Sequence, residues 1–283
     1  MIRRSGILMA AGVTLVATVL ISSAPASASA GAASPARRAS VSSPAARPVT
    51  TRGTGITAVV VKSWGQCSSA GLVWDDLNAN WSSYGSVPIS IDYANPDLCG
   101  TSFTLAALEA SGANVVILDD PAGGQQQFSA DEVSALQTYA SEGHNLLATY
   151  LTFGYPTSGI DNSALAPLFG LKQQAGWTGG DVESSATYSL RPKKAKALLH
   201  LIPNPYVSTG FDYSQRPGDG TWSKNTLNGD TKATKIAGIN GDKSAAIIAF
   251  QGSGYYAVYI ATMPEYGGGT SDQQFIYNAI IHG

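Results

Sequence analysis

The pattern of apolar and polar positions divides this chain into a regular first half and a less regular second half. Ile56–Lys62 (ITAVVVK) is β-branched and apolar on both faces, as a central parallel strand is. Apolar and polar residues then interleave at helical spacing from about Ala70 to Trp81. Val87–Tyr93 (VPISIDY) predicts a second strand, and Phe103–Ser111 a helix capped by Thr101 or Ser102. Ala113–Asp119 (ANVVILD) predicts a third strand. Ser129-Ala-Asp-Glu132 is a capping box that opens a helix to Ser141, and Asn145–Leu151 predicts a fourth strand. Strand and helix recurring at intervals of roughly 25–30 residues predict an α/β fold with a doubly wound, mainly parallel sheet and helices on both faces.

Past residue 160 the pattern shifts. Ala164–Phe169 predicts a short helix and Ala186–Leu190 a strand. Lys235–Ile239 and Ala245–Gln251 alternate as strands do, and the Gly252–Gly254 turn leads into Tyr255–Thr262 as a hairpin partner. A last helix is predicted over Ser271–Ile281. The C-terminal half therefore brings an antiparallel addition to the parallel core.

The N-terminus follows a different logic. Arg3 and Arg4 precede an apolar run from Ile7 to Ile21, and small residues follow in APASASA. That order predicts a secretory signal over residues 1–30. The run is about fifteen residues, short of the roughly 20 that span a bilayer, so no membrane span is expected after cleavage. Residues 31–54, rich in Ala, Ser, Pro and Arg, cannot bury enough apolar surface to offset ordering entropy and read as a disordered basic linker. Residues 55–283 form the expected folded domain, in a protein placed outside the cell.

Charge changes the picture for partners. All 19 acidic residues lie from residue 55 onward, with 11 of the 17 basic ones, a balance of −8 for the folded part. That points away from nucleic acid and anionic membranes. The two cysteines, Cys67 and Cys99, pair naturally as one disulfide in an oxidising compartment, with two free thiols as the alternative.

Several stretches resemble a known group when taken in order. FSADEVSALQTYASEGHNLLATY, DNSALAPLFGL, LHLIPNP, GSGYYAVYIATMPEY and SDQQFIYNAIIH are similar to successive segments of the class I glutamine amidotransferase-like superfamily. The nearest branches are the trehalose-utilisation (ThuA-like) proteins and the similar domain of some β-galactosidases. The resemblance implies a flavodoxin-like fold over roughly residues 56–283. In true amidotransferases a cysteine occupies a Gly-x-Cys-x-Gly elbow after a central strand. Here the equivalent exit, Ala148–Gly154, holds no cysteine, and neither Cys67 nor Cys99 has that frame. Glutamine hydrolysis is not expected.

What remains at the strand ends is a set of carboxylates and aromatic rings. Trp64 follows the first strand, Asp92 and Tyr93 end the second, and Asp119 and Asp120 end the third. Tyr150 ends the fourth, Tyr155 lies in the loop beyond it, and Glu265 and Tyr266 follow the late strand. Such residues suit a sugar, offering acceptors for hydroxyls and flat faces for pyranose C–H groups. Plain readings stand beside these: Asp119-Asp120-Pro as turn chemistry, Tyr93 and Tyr150 as core, Trp64 over the disulfide, His144 at a helix end, His200 as structure. The chain has no H-x-x-x-H, no C-x-x-C and no phosphate loop, so no metal or cofactor is expected.

The expectation is a secreted protein that binds carbohydrate or cell-envelope glycan without turnover. The alternatives are a sugar hydrolase or isomerase using Asp119 or Asp120 with Glu265, and a subunit-association module implied by the β-galactosidase resemblance. The oligomeric state is left open. Two carboxylates facing one cavity, one of them protonated near neutral pH, favour the enzyme. Carboxylates tied into turn amides favour binding.

Overall fold

The computed structural model describes residues 55–65, 67–68, 73–100, 102–155, 159–171, 182–183, 186–191, 193, 195–208, 212–213, 233–239, 247–267 and 269–282. The signal and linker expected over residues 1–54 lie outside the described residues, as does Thr101.

The strands in chain order are β1 (Ile56–Val61), β2 (Ile89–Asp92), β3 (Val115–Asp119), β4 (Asn145–Thr149), β5 (Gly154–Tyr155), β6 (Ile160–Asp161), β7 (Val182–Glu183), β8 (Ala186–Leu190), β9 (Tyr206–Ser208), β10 (Asp212–Tyr213), β11 (Thr234–Ile239), β12 (Ile247–Gln251) and β13 (Tyr256–Ile260). Nine of them form one sheet in the order β2-β1-β3-β4-β13-β12-β11-β8-β9. Pairs from β2 to β13 are parallel and pairs from β13 to β9 antiparallel. The parallel part has the 2-1-3-4-5 order of flavodoxin-like sheets, with β13 as its fifth strand. The fold is α/β with an antiparallel C-terminal extension, as the periodicity predicts.

β13 joins the two regimes, pairing in parallel with β4 and antiparallel with β12. That placement explains its composition: Ala257 to Ile260 are all buried, because a strand inside a sheet covered on both faces has no solvent side. β3 is buried at every position for the same reason.

Helix α1 spans Trp74–Asn80, α2 Leu105–Ser111, α3 Ala130–Ser141 and α4 Thr270–Ile281. α2 starts later than the sequence pattern implies. Its cap is Thr104, whose Oγ1 accepts from the Ala107 N–H at 3.2 Å, and not Thr101 or Ser102. The α3 capping box forms as expected: the Ser129 hydroxyl accepts from the Glu132 N–H at 3.2 Å and Glu132 Oε2 from the Ser129 N–H at 2.7 Å. The short helix expected over 164–169 is a 3₁₀ segment, Ser163–Phe169, containing Pro167. Among the described residues no helix is long and apolar enough to cross a membrane.

The core uses tyrosines whose hydroxyls reach backbone carbonyls, since a buried phenol needs a partner. Tyr139 donates to the Ala113 carbonyl at 2.6 Å and Tyr277 to that of Val87 at 2.9 Å. His144 stacks on Tyr139 at 3.7 Å, with Nδ1 at 2.7 Å from the Ala113 carbonyl, so it locks the end of α3 to β3. Cys67 and Cys99 are joined as a disulfide, tying the loop after β1 to the loop after β2.

Candidate functional site

The chain reverses its direction of travel across the sheet between β1 and β3, since β2 lies on one side of β1 and β3 on the other. In open α/β sheets the crevice beyond the carboxyl ends of such a pair is where ligands bind. Three of the five parallel-paired strands leave the sheet through a left-handed residue that is not glycine: Lys62 after β1 (φ 44°), Asp120 after β3 (φ 44°) and Tyr150 after β4 (φ 46°). Side-chain-bearing residues rarely adopt that region, and such positions cluster at functional sites.

The loop after β3 closes against this face. Gly123 and Gly124 permit it: a Cβ on Gly123 would lie 2.1 Å from Asp120 Oδ2, and one on Gly124 2.4 Å from the Trp64 Cα. The Trp64 N–H donates to the Asp119 carbonyl at 3.0 Å, which sets the exit of β1 against that of β3.

Three carboxyl groups collect beneath. Asp119 and Glu265 are fully buried and Asp120 is 4 % exposed. Asp120 is tied into turn amides: its Oδ1 accepts from Gly123 N–H at 3.1 Å and Leu151 N–H at 3.2 Å. Burial, and then the neighbouring Asp119 charge, push its carboxyl well above the usual carboxylate range. Glu265 Oε1 accepts from the Thr149 hydroxyl at 2.5 Å.

Glu265 Oε2, both Asp119 oxygens and the Trp74 indole N–H are buried without a partner at standard hydrogen-bond geometry. Yet Asp119 interacts with both Glu265 and Trp74. Two carboxylates have no proton between them, so the contact becomes a hydrogen bond only when one is protonated. The surroundings assign that proton. Glu265 is raised well above its ordinary value, by burial first and then by the Asp119 charge. Asp119 is raised by burial only to about 6, because the facing Glu265 and the nearby Trp74 indole favour its ionised form. Thr149 O–H donates to Glu265, and of the two facing carboxyls burial and the Asp119 charge push Glu265 the further toward its protonated form.

Aromatic rings flank the acids. Trp64, half-buried, meets Tyr266 edge-on, with ring centroids 5.6 Å apart and planes at 66°. Tyr266 is 41 % exposed. Tyr150 is buried with Ala122, Leu151 and Met263, which withdraws its ring from a surface ligand. Asp92 and Tyr93 sit one strand further out, at the end of edge strand β2: Asp92 Oδ1 accepts from the Ala94 N–H at 3.2 Å and the Tyr93 hydroxyl donates to Asp75 at 2.5 Å. Tyr155 lies in β5, and its side chain is outside the described residues. The structure therefore brings together Trp64, Asp119, Asp120, Glu265 and Tyr266 among the residues singled out from sequence.

Sequence reasoning missed Thr149, which donates to Glu265, and Trp74, whose indole lies beside Asp119. Thr149 carried a signal, a lone hydroxyl ending the apolar run NLLAT. It also missed Lys62, whose Nζ reaches Glu132 Oε2 at 2.8 Å and the Gln127 carbonyl at 2.6 Å. No three His, Cys, Asp or Glu side chains converge as metal ligands among the described residues. Both cysteines of the chain are spent in the disulfide, so the face offers no thiol nucleophile. Chemically it offers hydrogen bonding, ring faces and buried carboxyls pushed toward their protonated form.

No family model matches the chain, and no curated protein sequence does. Solved structures do match. A ThuA-like protein from Bacteroides uniformis is 9 % identical with a TM-score of 0.51, over 83 % of this chain and 95 % of that one. The structure described as the mmIFT52 N-terminal domain is 10 % identical with a TM-score of 0.50, over 80 % and 98 %. A GMP-synthase-type protein from Thermoplasma acidophilum is 12 % identical with a TM-score of 0.48, over 81 % and 94 %. At these identities the likeness is one of fold: this chain shares the α/β fold of that ThuA-like protein.

Proposed function

We propose that this chain is an exported, non-amidotransferase member of the class I glutamine amidotransferase-like superfamily that binds carbohydrate, a cell-envelope glycan in particular, at the C-terminal ends of its strands. The Trp64–Tyr266 pair carries the reading: two accessible rings in edge-to-face contact at the β1/β3 crevice, in a protein whose surface elsewhere exposes few large apolar side chains among the described residues. A pyranose ring presents C–H groups to such faces and hydroxyls to the polar groups around them. Binding without turnover is favoured because the carboxyls are buried or bound to turn amides, out of reach of a substrate. The ThuA-like fold and the disulfide accord with membership of that superfamily and with an oxidising compartment.

The test is a thermal-shift and calorimetric screen of the secreted protein against neutral oligosaccharides and a soluble peptidoglycan digest. A ligand at 100 times its Kd stabilises by about 2.7 kcal/mol. Trp64→Ala and Tyr266→Ala should each weaken binding about tenfold or more. Binding that survives both changes, or no shift across the panel, sinks the proposal. A second reading, a carboxylate-dependent hydrolase or isomerase, is favoured by one feature: burial and the Asp119 charge raise the Glu265 carboxyl well above the usual range, the direction a general acid needs. Release of reducing sugar that vanishes in Glu265→Gln would establish it.

A further inference from the structure

Glu265 holds more than a proton. Its side chain accepts from Thr149 at the end of β4 and faces Asp119 at the end of β3. Its carbonyl accepts from the Val73 N–H, at the entry to α1, at 2.9 Å. The next residue, Tyr266, supplies the ring that meets Trp64. One residue thus fastens the single helical turn Pro264–Gly267 to three elements and sets the position of the exposed ring pair.

We infer that the Glu265–Asp119 carboxyl pair is a proton-operated latch: with one proton shared between them the Pro264–Gly267 turn stays docked and the Trp64–Tyr266 pair intact, and loss of that proton frees the turn and separates the rings. The reason is the surroundings. Two ionised carboxylates in contact, both fully buried, repel strongly unless a cation lies between them. Among the described residues the elements packed around the pair supply none. Lys62, after β1, is committed to Glu132 and the Gln127 carbonyl. Asp120, on the loop after β3, adds a further like charge. At the start of α1, Asp75 is bonded to Tyr93 and Asp76 to Tyr84 and Asn80. Asp272 in the first turn of α4 is bonded to Tyr206. Tyr150 after β4 and Tyr266 beside Glu265 are the neighbouring phenols. The donors acting on the pair among the described residues are the Thr149 hydroxyl, Glu265's own backbone N–H and the nearby Trp74 indole, all neutral, so none can neutralise a second charge.

The latch deepens the carbohydrate reading, since it would make binding at the rings strongest in mildly acid surroundings, but its own movement does not depend on a ligand. The experiment is hydrogen exchange by mass spectrometry on the full chain from pH 5 to 8.5, corrected for intrinsic chemical exchange, reading the peptide that contains 262–267. In the wild type, protection there should hold at low pH and then fall up to tenfold per pH unit, the limit for one proton. Glu265→Gln keeps an acceptor for Thr149 and a donor for Asp119 and cannot ionise, so its turn should stay protected at pH 8.5. Thr149→Val removes a bond that favours the ionised form, so its midpoint should move to higher pH. Should Glu265→Gln fail to fold, Asp119→Asn removes the same like-charge contact and should also stay protected. Uniform wild-type protection across the range overturns the latch, as does a Glu265→Gln turn that opens like the wild type. Opening without binding of the peptidoglycan digest at any pH upholds the latch and removes the carbohydrate reading alone.

Discussion

Lys62→Met should be among the most damaging single changes outside the aromatic core. The Lys62 and Glu132 side chains are 3 % and 4 % exposed and 2.8 Å apart. Every other bond at the pair is also internal: Lys62 Nζ donates to the Gln127 carbonyl, and Glu132 accepts from the Ser129 N–H at 2.7 Å and the Phe103 N–H at 3.2 Å. Lys62 also lies 5.1 Å from the Phe128 ring centre. Methionine matches the stem but removes the ammonium, leaving a buried carboxylate with backbone donors and no cation. Removing one member of a buried pair costs about 3–5 kcal/mol, whereas replacing both can be nearly neutral. For a domain of this size that is a Tm lower by about 6–20 °C. The double variant Lys62→Met/Glu132→Gln keeps the amide bonds without a charge and should recover most of the loss. Urea unfolding of the four proteins completes the cycle. A Lys62→Met loss under about 1 kcal/mol, or a double variant no better than the single, would refute the claim that the ion pair is closed off from water.

Stability should fall as pH rises through about 6. Burial raises the folded-state value of Asp119 from 3.8 to about 6, so the carboxyl contributes fully below about pH 4 and its contribution is lost as it ionises in the folded state; at pH 8 that is about 3 kcal/mol, and Asp119→Asn should flatten the slope in denaturant titrations at pH 5 and 8. Reducing the Cys67–Cys99 disulfide, whose cysteines are 32 residues apart, should lower stability by about 3–4 kcal/mol, read as a drop in urea midpoint with added phosphine. Gly124→Ala should shift Trp64, because the new methyl would lie 2.4 Å from its Cα; altered tryptophan fluorescence at unchanged far-ultraviolet dichroism is the expected signature.

Much of the parallel half was legible residue by residue. ITAVVV and VVILD are strands because apolar β-branched runs fit a sheet covered on both faces, and Ser129 with Glu132 marks a helix start that the structure reproduces. The α2 cap was misplaced because Thr101, Ser102 and Thr104 are all competent caps, and the choice among them depends on how the Phe103 N–H is taken by Glu132 across the fold. β9 was not legible at all: three residues with one exposed side chain leave no periodicity to read.

At the site the division is sharper. The sequence alone determined which side chains stand at the strand ends, because strand boundaries follow from local pattern: Asp119, Asp120 and Trp64 could be named without a structure, and so could Glu265. Only the tertiary structure decided what they do there. It set β13 beside β4, so that Glu265 meets Asp119 and Thr149, and it brought Trp74 in from α1. It buried Tyr150 while leaving Tyr266 exposed. The physical reason is that strand propensity acts over a few residues, whereas the protonation of a carboxyl is governed by burial and by charges that the fold gathers from distant parts of the chain.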